Sequence, residues 1–596
     1  MSDVSRWLES FAGALARNDT GAAAGLFEPG GYWRDLVAFT WNIKTCEGRE
    51  EIRRMLEATL AGARPSQFRI DGEPRVDDGI TEAWFGFETA VGRGIGQLRL
   101  RGGRCWTLLT TLRELKGFEE KAGHRREAGI EHGAIAGRRS WLEKKTKEEA
   151  ELGSVRQPCV LIVGGGQGGI ALGARLKRLG VPALIVERNE RAGDSWRKRY
   201  KSLCLHDPVW YDHLPYLPFP DHWPVFTPKD MLGDWLEMYV RVMGLNYWGS
   251  ARCVGASYME STGEWVVRIE RKGKTLELRP KHLVLATGMS GVPSIPAIPG
   301  AASFQGTLTH SSAFAGGDGW GGKRCVVVGA STSAHDICAD LWEHGAEVTM
   351  LQRSSTVVAT SEALTEYAWS RLYSEAALEA GITTDLADLS VASVPMKLLP
   401  GLQKPLYEKM ARRDAALYEG LARAGFQFDF GEDGSGIHAL YLRRGAGYYI
   451  EVGASKMIID GRIRLQSPAI VERLNGLSVT ISDGKGKQSE LAADLVVFAT
   501  GYGSMNGWAA ELISREVADR VGKCWGLGSD TKYDPGPWVG ELRNMWKPTQ
   551  QPALWFHGGN LMQSRHYSLY LALQLKARMA GIATPVYGMD PVHHLN

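Results

Sequence analysis

A glycine-rich segment, Gly164-Gly165-Gly166-Gln167-Gly168-Gly169, directly follows the apolar run VLIV. This spacing suits a strand-to-helix turn, in which Gly164 makes the turn, Gly166 lets a pyrophosphate approach the backbone and Gly169 lets helix and strand pack closely. The helix would then present free N–H groups to phosphate. The next apolar run ends in Glu187, a carboxylate suited to a ribose hydroxyl, followed by Arg188. The segment predicts a dinucleotide site to which all these residues contribute.

A second unit of the same kind begins at Lys323 and carries Gly329-Ala330-Ser331-Thr332-Ser333-Ala334. Ser331 replaces the middle glycine and is small enough for the turn, as is Ser333. The following run ends in Arg353 and has no acidic residue. Because an arginine there accepts a ribose 2′-phosphate that a carboxylate would repel, the unit predicts NADPH. The alternative is that Arg353 caps a strand at the surface.

Three further motifs lie around the second unit. LVLATG ends at Gly288, and LVVFATGYG contains Thr500 and Gly501. Between the two units, residues 304–314 read FQGTLTHSSAF. This stretch matches FxGxxxHxxx followed by an aromatic residue. In type and order, the motifs over roughly 158–580 resemble the class B flavin monooxygenases.

The resemblance implies a tightly bound FAD, reduced by NADPH, that inserts one atom of O2 through a C4a-peroxyflavin. The long N-terminal extension, Thr500-Gly501-Tyr502 and His557-Gly558 look most like type II flavin-containing monooxygenases. Members of that group perform Baeyer–Villiger oxidation and can accept NADH. We therefore expect ketones to become esters or lactones. The alternatives are oxygenation of sulfur or nitrogen, and a flavin NAD(P)H oxidase or reductase.

The resemblance also implies roles for individual residues. Ser195 and Trp196 fall in a segment beside the flavin, and Asp207 stands where Baeyer–Villiger enzymes place a catalytic Asp. An Asp-Pro turn is the alternative for Asp207. Arg444 is a candidate for the arginine that stabilises the oxygen adduct, or it lies in a solvent-facing loop.

The C-terminal region supplies two more candidates. His557 and Asn560 precede a helical run whose N-terminus would point at the flavin. His557 is expected to be catalytic and Asn560 to bind the cofactor. The alternative for His557 is a histidine packed in the core.

Composition excludes several other classes of function. Lys and Arg number 70 against 67 Asp and Glu, so the formal charge of +3 gives no support for nucleic-acid binding. Eight dispersed Cys residues show no CxxC pair. No metal site is expected, and a disulfide-reductase-like enzyme would lack its redox pair. A scaffold with a vestigial cofactor site is disfavoured by the intact glycines.

The same data bear on location and partners. The N-terminus is charged throughout, and no apolar run approaches the roughly 18 residues of a membrane span. We expect a cytoplasmic enzyme without a membrane span. Its expected partners are O2, a ketone or heteroatom substrate and a second copy of the chain, in a homodimer.

The fold class is therefore α/β, with two Rossmann-type domains preceded by a small α+β domain. Helical patterns and then β-rich runs over residues 1–115 resemble the cone-shaped fold of nuclear transport factor 2. This domain either covers the flavin domain as a packing module, which we favour, or holds a small ligand. The expected division is 1–115, a helical linker 116–156, the FAD domain 157–322, the NADP domain 323–495 and the rest of the FAD domain 496–596.

Overall fold

The computed structural model describes residues 2–594 and begins with an α+β unit. Its elements are α1 (Asp3–Ala16), α2 (Thr20–Gly25), β1 (Phe27–Leu36), β2 (Ile43–Glu47), α3 (Gly48–Ala63), β3 (Ser66–Asp77), β4 (Ile80–Glu88), β5 (Gly92–Arg101) and β6 (Arg104–Leu115). The six-stranded sheet has the order β2-β1-β6-β5-β4-β3, and only the β1–β6 pair is parallel.

Aromatic side chains fill the space between this sheet and its helices. Trp7, Phe11, Phe27 and Trp33 pack with ring centroids 4.8–6.2 Å apart. All four are buried. The interior of the unit is thus occupied by its own side chains.

The expected linker is helical over only part of its length. One helix, α4 (Trp141–Glu151), carries a capping box at Ser140 and Glu143. The side chains of Trp141 and Leu142 on this helix are 69% and 64% exposed. Every side chain from 123 to 140, a stretch that we call the connecting arm, is exposed.

The first α/β stretch follows the arm. Its elements are β7 (Val160–Val163), α5 (Gln167–Arg178), β8 (Ala183–Val186), α6 (Asp194–Arg197), α7 (Val209–Asp212), α8 (Lys229–Val242), β9 (Tyr247–Trp248), β10 (Ala251–Met259), β11 (Glu264–Arg271), β12 (Lys274–Leu278) and β13 (His282–Leu285). The strands β10, β11 and β12 form a separate antiparallel sheet.

The second stretch repeats the pattern with an insertion. Its elements are β14 (Thr307–His310), β15 (Arg324–Val328), α9 (Thr332–Glu343), β16 (Glu347–Leu351), β17 (Thr356–Thr360), α10 (Ser361–Leu364), α11 (Glu375–Glu379), α12 (Thr384–Ala392), α13 (Leu399–Arg413), α14 (Ala415–Arg423), β18 (Phe428–Asp429), α15 (Gly436–Arg444), β19 (Tyr448–Glu451), α16 (Ala454–Ile459), β20 (Arg464–Gln466), β21 (Ile470–Asn475), β22 (Ser478–Ser482), β23 (Gln488–Ala492) and β24 (Leu495–Phe498). A parallel sheet β18-β17-β19 lies within the insertion, and β21, β22 and β23 form an antiparallel one.

The C-terminal elements are α17 (Asn506–Leu512), α18 (Arg515–Val521), β25 (Leu554–Phe556) and α19 (Leu561–Met579). Strand β25 completes a parallel sheet of order β25-β13-β7-β8-β9. A second parallel sheet has the order β14-β24-β15-β16-β20. The two doubly wound sheets confirm the predicted Rossmann-type α/β fold.

Sheet membership bears on the expected domain boundaries. The second sheet includes β14, which precedes residue 323, and β24, which spans the boundary between 495 and 496. We therefore propose that the NADP domain extends from about 306 to 499, with the FAD domain on either side. The division itself stays a prediction.

Candidate active site

The first glycine turn is shaped by close backbone contacts. Gly164 has a φ of 110°, and a Cβ on it would lie 2.3 Å from the Ala286 carbonyl oxygen. A Cβ on Gly169 would lie 2.0 Å from the carbonyl oxygen of Gly164. At Gly166 the nearest non-adjacent atom would be Ser195 Oγ, at 3.7 Å. The turn is therefore closed on the protein side and open where Gly166 begins helix α5.

Glu187 holds this turn in place. Its Oε2 accepts the Gly165 N–H at 2.7 Å, and its Oε1 accepts two N–H groups of Asn189 at 2.9 and 2.8 Å. The side chain is 8% exposed. Because an ionised carboxylate has about four acceptor positions, one remains for a ribose hydroxyl. Arg188 is exposed beside it.

Three separate parts of the chain meet at this turn. The Trp196 indole N–H donates to Gln167 Oε1 at 3.2 Å, and Gln167 Nε2 donates to the Gly559 carbonyl at 3.4 Å. Ser195 faces Gly166, as described above. The structure thus brings Ser195, Trp196 and the Gly559-Asn560 segment to the first glycine turn.

The second turn has the same construction. Gly329 has a φ of 132°, and its Cβ would lie 2.4 Å from the carbonyl oxygen of Ala499. Ser331 begins α9 without a side-chain cap, so the N–H groups of the first turn, including that of Ser333, have no cap from the chain. Arg353 is exposed after β16.

Thr500 and Gly501 lie between the two Rossmann sheets. The Gly501 carbonyl accepts hydrogen bonds from Ser294 N–H at 3.0 Å and from His310 Nε2 at 3.1 Å. Thr500 donates to the Ser294 carbonyl. His310, in the FxGxxxH stretch, and Ser294, in the segment after the first ATG motif, therefore share the Gly501 carbonyl of the second ATG motif as their acceptor.

Asp207 lies in a desolvated setting near one acidic neighbour, Asp212, and a histidine, His206. Burial raises the pKa of Asp207 to about 6, and the His206 charge opposes the shift. Asp212, only 2% exposed, has its pKa raised by burial and then by Asp207. Its Oδ2 has no hydrogen-bond partner among the described residues. This arrangement can accept or hold a proton at Asp207 near neutral pH.

The charge of Asp207 raises the pKa of three tyrosine hydroxyls. Burial is the larger cause of the raised pKa of Tyr211, and the Asp207 charge adds to it. For Tyr441 and Tyr448 the Asp207 charge likewise adds to the effect of burial in raising the pKa. Asn560 Nδ2 donates to the Tyr211 hydroxyl at 3.0 Å, and the Asn560 N–H donates to the Tyr441 hydroxyl at 3.1 Å. Asn560 also caps helix α19 through a capping box with Gln563.

A buried network that the sequence did not reveal supports this cluster. The Arg565 guanidinium donates to both oxygens of Asp388 at 2.9 Å. It also donates to the carbonyls of Tyr211 at 2.8 Å and His213 at 2.5 Å, on either side of Asp212. The only signal in the sequence is a charged residue at the start of an apolar helical run.

The remaining two catalytic candidates lie apart from these tyrosines in their contacts. His557 is fully buried against Gly168, and burial lowers the pKa of its imidazole to about 3. Neither ring nitrogen has a partner within residues 2–594. Arg444 stacks over Tyr533 at 4.2 Å, whereas Arg443 pairs with Asp433 at 2.6 Å. The role of each stays a prediction.

These features fit two dinucleotides. The open position at Gly166 and the uncapped turn of α5 suit a pyrophosphate, and Glu187 suits a ribose. The second uncapped turn and Arg353 suit NADPH.

A family model described as pyridine nucleotide-disulphide oxidoreductase matches residues 158–388. A rice protein (Oryza sativa subsp. japonica) named indole-3-pyruvate monooxygenase YUCCA1 is 30% identical over 369 residues, which are 61% of this chain and 82% of that protein.

The chain belongs to the flavin-dependent monooxygenase family. It is an FAD- and NADPH-dependent monooxygenase, as predicted. An Arabidopsis thaliana protein named probable indole-3-pyruvate monooxygenase YUCCA9 is 35% identical over 204 residues, or 34% of this chain and 48% of that protein. The open crystal structure of cyclohexanone monooxygenase superposes with a TM-score of 0.50 at 15% identity, covering 71% of this chain and 87% of the other. That likeness concerns the fold.

All eight cysteines are free thiols. Residues 2–594 hold no group of three His, Cys, Asp or Glu side chains arranged to bind a metal ion. Among the helices of the same residues, none has the length and apolar character to cross a membrane.

Proposed function

We propose that this monooxygenase inserts one atom of O2 between the carbonyl carbon of a ketone and a neighbouring carbon, breaking that C–C bond and giving an ester or lactone. The other oxygen atom leaves as water, with two electrons from NADPH. The observation that carries the proposal is Asp207, a desolvated carboxylate whose charge raises the pKa of three tyrosine hydroxyls. With a pKa of about 6, Asp207 is mostly ionised at neutral pH and serves as a proton acceptor. An oxygen that has lost its proton is a nucleophile, which suits an electrophilic carbonyl carbon.

The chain's own groups bind and orient the reactants. When bound, FAD takes a hydride from NADPH and activates O2. The glycine turn and the N-terminus of α5 would hold its pyrophosphate, and Glu187 and Trp196 would fix its position. Asn560 aligns the hydroxyls of Tyr211 and Tyr441 at the start of α19. Burial of these groups excludes water from the cluster.

The substrate class is supported by one relative's name. Indole-3-pyruvate, for which the rice protein is named, is a 2-oxo acid whose reactive centre is a carbonyl carbon. We therefore include 2-oxo acids beside ketones. A cavity of about 200 Å³ lies along α15, which also carries Tyr441. We propose that this cavity, lined by Met396, Leu442 and Trp538 among others, is the substrate entrance.

Turnover under isotope-labelled O2 tests the proposal. The purified holoenzyme is supplied with NADPH and, in separate reactions, with a cyclic ketone, a 2-oxo acid, a sulfide and a tertiary amine. We expect one labelled oxygen in the ester, lactone or acid product and little label in the sulfide or amine. Preferential labelling of sulfur or nitrogen would establish heteroatom oxygenation instead. NADPH consumption that yields only hydrogen peroxide would indicate an oxidase.

We further propose that the N-terminal unit is a packing module of the nuclear transport factor 2 type. Its aromatic interior and its buried ion pair from Arg34 to Glu541, at 2.7 Å, support a packing role over ligand binding. A homodimer, acceptance of NADH and a cytoplasmic location stay proposals. Sedimentation of the holoenzyme tests the first, and anaerobic reduction with NADPH and NADH in parallel tests the second.

A further inference from the structure

A cavity of about 380 Å³ lies where the N-terminal unit meets the flavin domain. Its walls include the end of β6, the segment after it, the end of α5 and the middle of α19. Because α5 begins at the first glycine turn, the cavity lies at the other end of that helix from the cofactor site. We call it the interface cavity, and its volume is typical of a small-molecule site.

Arginines outnumber carboxylates in the lining of the interface cavity. The charged lining residues are Arg113, Arg125, Arg175, Arg178, Glu114, Glu120 and Asp385. Glu114 accepts hydrogen bonds from Arg93, outside the lining, at 2.7 Å and from Arg125 at 3.5 Å. Glu120 Oε2 lies 3.1 Å from Arg178 Nε. Two of the three carboxylates are therefore engaged by arginines other than Arg113 and Arg175.

Arg113 and Arg175 keep donors free. Arg113 Nη2 lies 3.6 Å from Asp385 Oδ2, which is beyond hydrogen-bonding distance. The Arg175 side chain is 11% exposed, and its Nη1 lies 3.9 Å from Glu120 Oε1, an oxygen that already accepts the Tyr216 hydroxyl. Arg175 Nε has no hydrogen-bond partner within residues 2–594. Because a buried charged donor without an acceptor costs free energy, an anionic ligand that supplies the acceptor would bind favourably.

An aromatic ring holds the arginines of α5 in place. The guanidinium groups of Arg175 and Arg178 lie 4.6 and 4.0 Å from the centroid of the Tyr216 ring. Tyr216 has a φ of 71°, in the left-handed region that a bulky residue rarely adopts. The Tyr239 hydroxyl fixes this segment by donating to the Pro215 carbonyl at 2.6 Å. A planar guanidinium that is already oriented loses little freedom when it binds a carboxylate.

An apolar wall completes the interface cavity. Leu569 and Leu573 stand about one turn apart on α19, and Leu179 follows directly after α5. An inorganic anion gains nothing from such a wall, because it has no apolar surface to remove from water. The hydrocarbon part of an organic acid would gain free energy there.

We propose that the interface cavity binds a small amphipathic organic acid. Its carboxylate would lie at Arg113 and Arg175, and its hydrocarbon part would lie against Leu569 and Leu573. The ligand would contact the N-terminal unit, α5 and α19 together, so its binding would stabilise their junction. This site is additional to the oxygenation site and does not depend on which substrate is oxygenated.

The test measures binding to the holoenzyme with octanoate as the probe. Calorimetric titrations are made in saturating NADP⁺, so that the nucleotide site is filled, and are repeated with 1-octanol, octylamine and inorganic phosphate. We expect one octanoate per chain and much weaker binding of the other three. Arg175→Gln and Arg113→Gln should each weaken octanoate at least about tenfold, equivalent to about 1.4 kcal/mol. Lys177→Gln, on the same helix with a side chain that is 43% exposed, is the matched control and should change it less than about twofold.

Several results would overturn the proposal. They are no saturable binding of octanoate to the wild type, or an affinity that neither arginine variant changes. Equal binding of 1-octanol would show an apolar cavity that does not recognise a carboxylate, and phosphate binding as tight as that of octanoate would show a site for inorganic anions. Should Arg175→Gln lose its flavin, Arg113→Gln decides, since that side chain is 24% exposed. Failure of ketone oxygenation would leave these binding results unchanged, so the two proposals fail separately.

Discussion

At the scale of single residues, the two glycine turns rest on the same steric device. A Cβ added to the first glycine of each turn would lie against the carbonyl oxygen of an alanine in an ATG motif. The distances would be 2.3 Å from Gly164 to Ala286 and 2.4 Å from Gly329 to Ala499. The ATG motifs therefore pack against the side of each turn that faces the protein interior. The position of Gly166, in contrast, is open toward solvent and suits a ligand.

Alanine at two glycines should separate folding from cofactor binding. In Gly166→Ala the new Cβ meets no close protein atom, so we expect a stable apoprotein with FAD content reduced at least about tenfold. In Gly169→Ala the Cβ would lie 2.0 Å from the Gly164 carbonyl, and stability should fall by about 1–3 kcal/mol. Flavin absorbance per mole of protein and thermal unfolding of the apoproteins measure the two effects. Normal flavin content in Gly166→Ala would contradict this assignment.

Asp207 should impose a pH dependence on stability. Because burial raises its pKa from 3.8 to about 6, the folded protein retains a proton that the unfolded chain releases between these values. Stability is therefore lost as pH rises through this window. Asp207→Asn removes the cost and should gain about 1–2 kcal/mol over wild type between about pH 5 and about pH 7.5. Denaturant unfolding of apoproteins at both pH values measures it, with exposed Asp221→Asn as the control; parallel curves would refute a desolvated Asp207.

Residue types and spacing predicted those contacts of the candidate site that follow directly from the course of the backbone. The glycines, Glu187 and Trp196 meet where the motif spacing requires. The Arg565–Asp388 network could not be predicted, because its members come from α19 and α12 and only tertiary packing brings them together. The contact of Arg444 with Tyr533 was missed for the same reason, since the two residues lie far apart in the sequence.

At the scale of elements, α19 is the central helix and is buried along nearly its whole length. Its first turn holds Asn560 and Gln563 at the tyrosines, and Arg565 follows one turn later. A helix that is surrounded on all sides cannot show an amphipathic pattern, so periodicity alone did not reveal which residues face the site. Strand β1 was also missed, because Pro29, Gly30 and Gly31 interrupt it and its pairing with β6 shifts register there.

Enlarging a wall of the proposed entrance should affect substrates by size. Leu442→Trp, on α15, would fill part of the cavity of about 200 Å³. We expect kcat/KM for a bulky cyclic ketone to fall at least about tenfold, with a smaller effect for acetone, because only the larger molecule needs the lost space. Steady-state kinetics measure both values, and exposed Leu402→Trp on α13 is the control. Equal losses for both ketones would place the entrance elsewhere.

The connecting arm should be the first place that a protease cuts. Arg125, Arg126, Arg138 and Arg139 are all exposed there. We expect brief trypsin treatment to yield an N-terminal fragment and a flavin-domain fragment that separate on a denaturing gel. On native size exclusion the two should elute together, because the buried contacts of the N-terminal sheet persist. Separate elution would contradict the packing role.

At the scale of the whole molecule, the N-terminal sheet is joined to the flavin domain by buried polar contacts. Arg34 donates to both oxygens of Glu541 at 2.7 Å, to the Tyr567 hydroxyl at 3.1 Å and to the Ala392 carbonyl at 2.6 Å. Arg99 donates to Ser393 Oγ at 2.8 Å. The sheet therefore contacts α19 and the end of α12, which are the helices that carry Arg565 and Asp388.

Breaking this ion pair should destabilise the assembled chain. Arg34→Ala leaves the Glu541 carboxylate buried without its partner, and we expect a loss of about 3–5 kcal/mol. Arg101→Ala removes a pair with Glu28 whose side chains are 45% and 22% exposed, and should cost less than about 1 kcal/mol. Chemical denaturation of the two variants measures the difference. Similar small losses would show that the N-terminal unit does not depend on Arg34.

The global architecture was predictable to the level of its two Rossmann sheets, because strand, glycine turn and helix follow each other in sequence. The placement of the N-terminal unit was not, since no local pattern encodes a contact between residues as distant as Arg34 and Glu541. The stretch from Thr356 to Glu432 also had no readable motif. The small sheet β18-β17-β19, to which it contributes β17 and β18, emerges only from the three-dimensional structure.

The central claim is that the reduced enzyme transfers one oxygen atom to a carbonyl compound. Stopped-flow spectroscopy tests it most directly: the holoenzyme is reduced anaerobically with NADPH, and in parallel with NADH, and then mixed with O2. We predict a long-lived absorbance that belongs neither to reduced nor to oxidised flavin, with a decay accelerated by a ketone and not by a sulfide. Immediate reoxidation with an equivalent of hydrogen peroxide, unaffected by any ketone, would contradict the account.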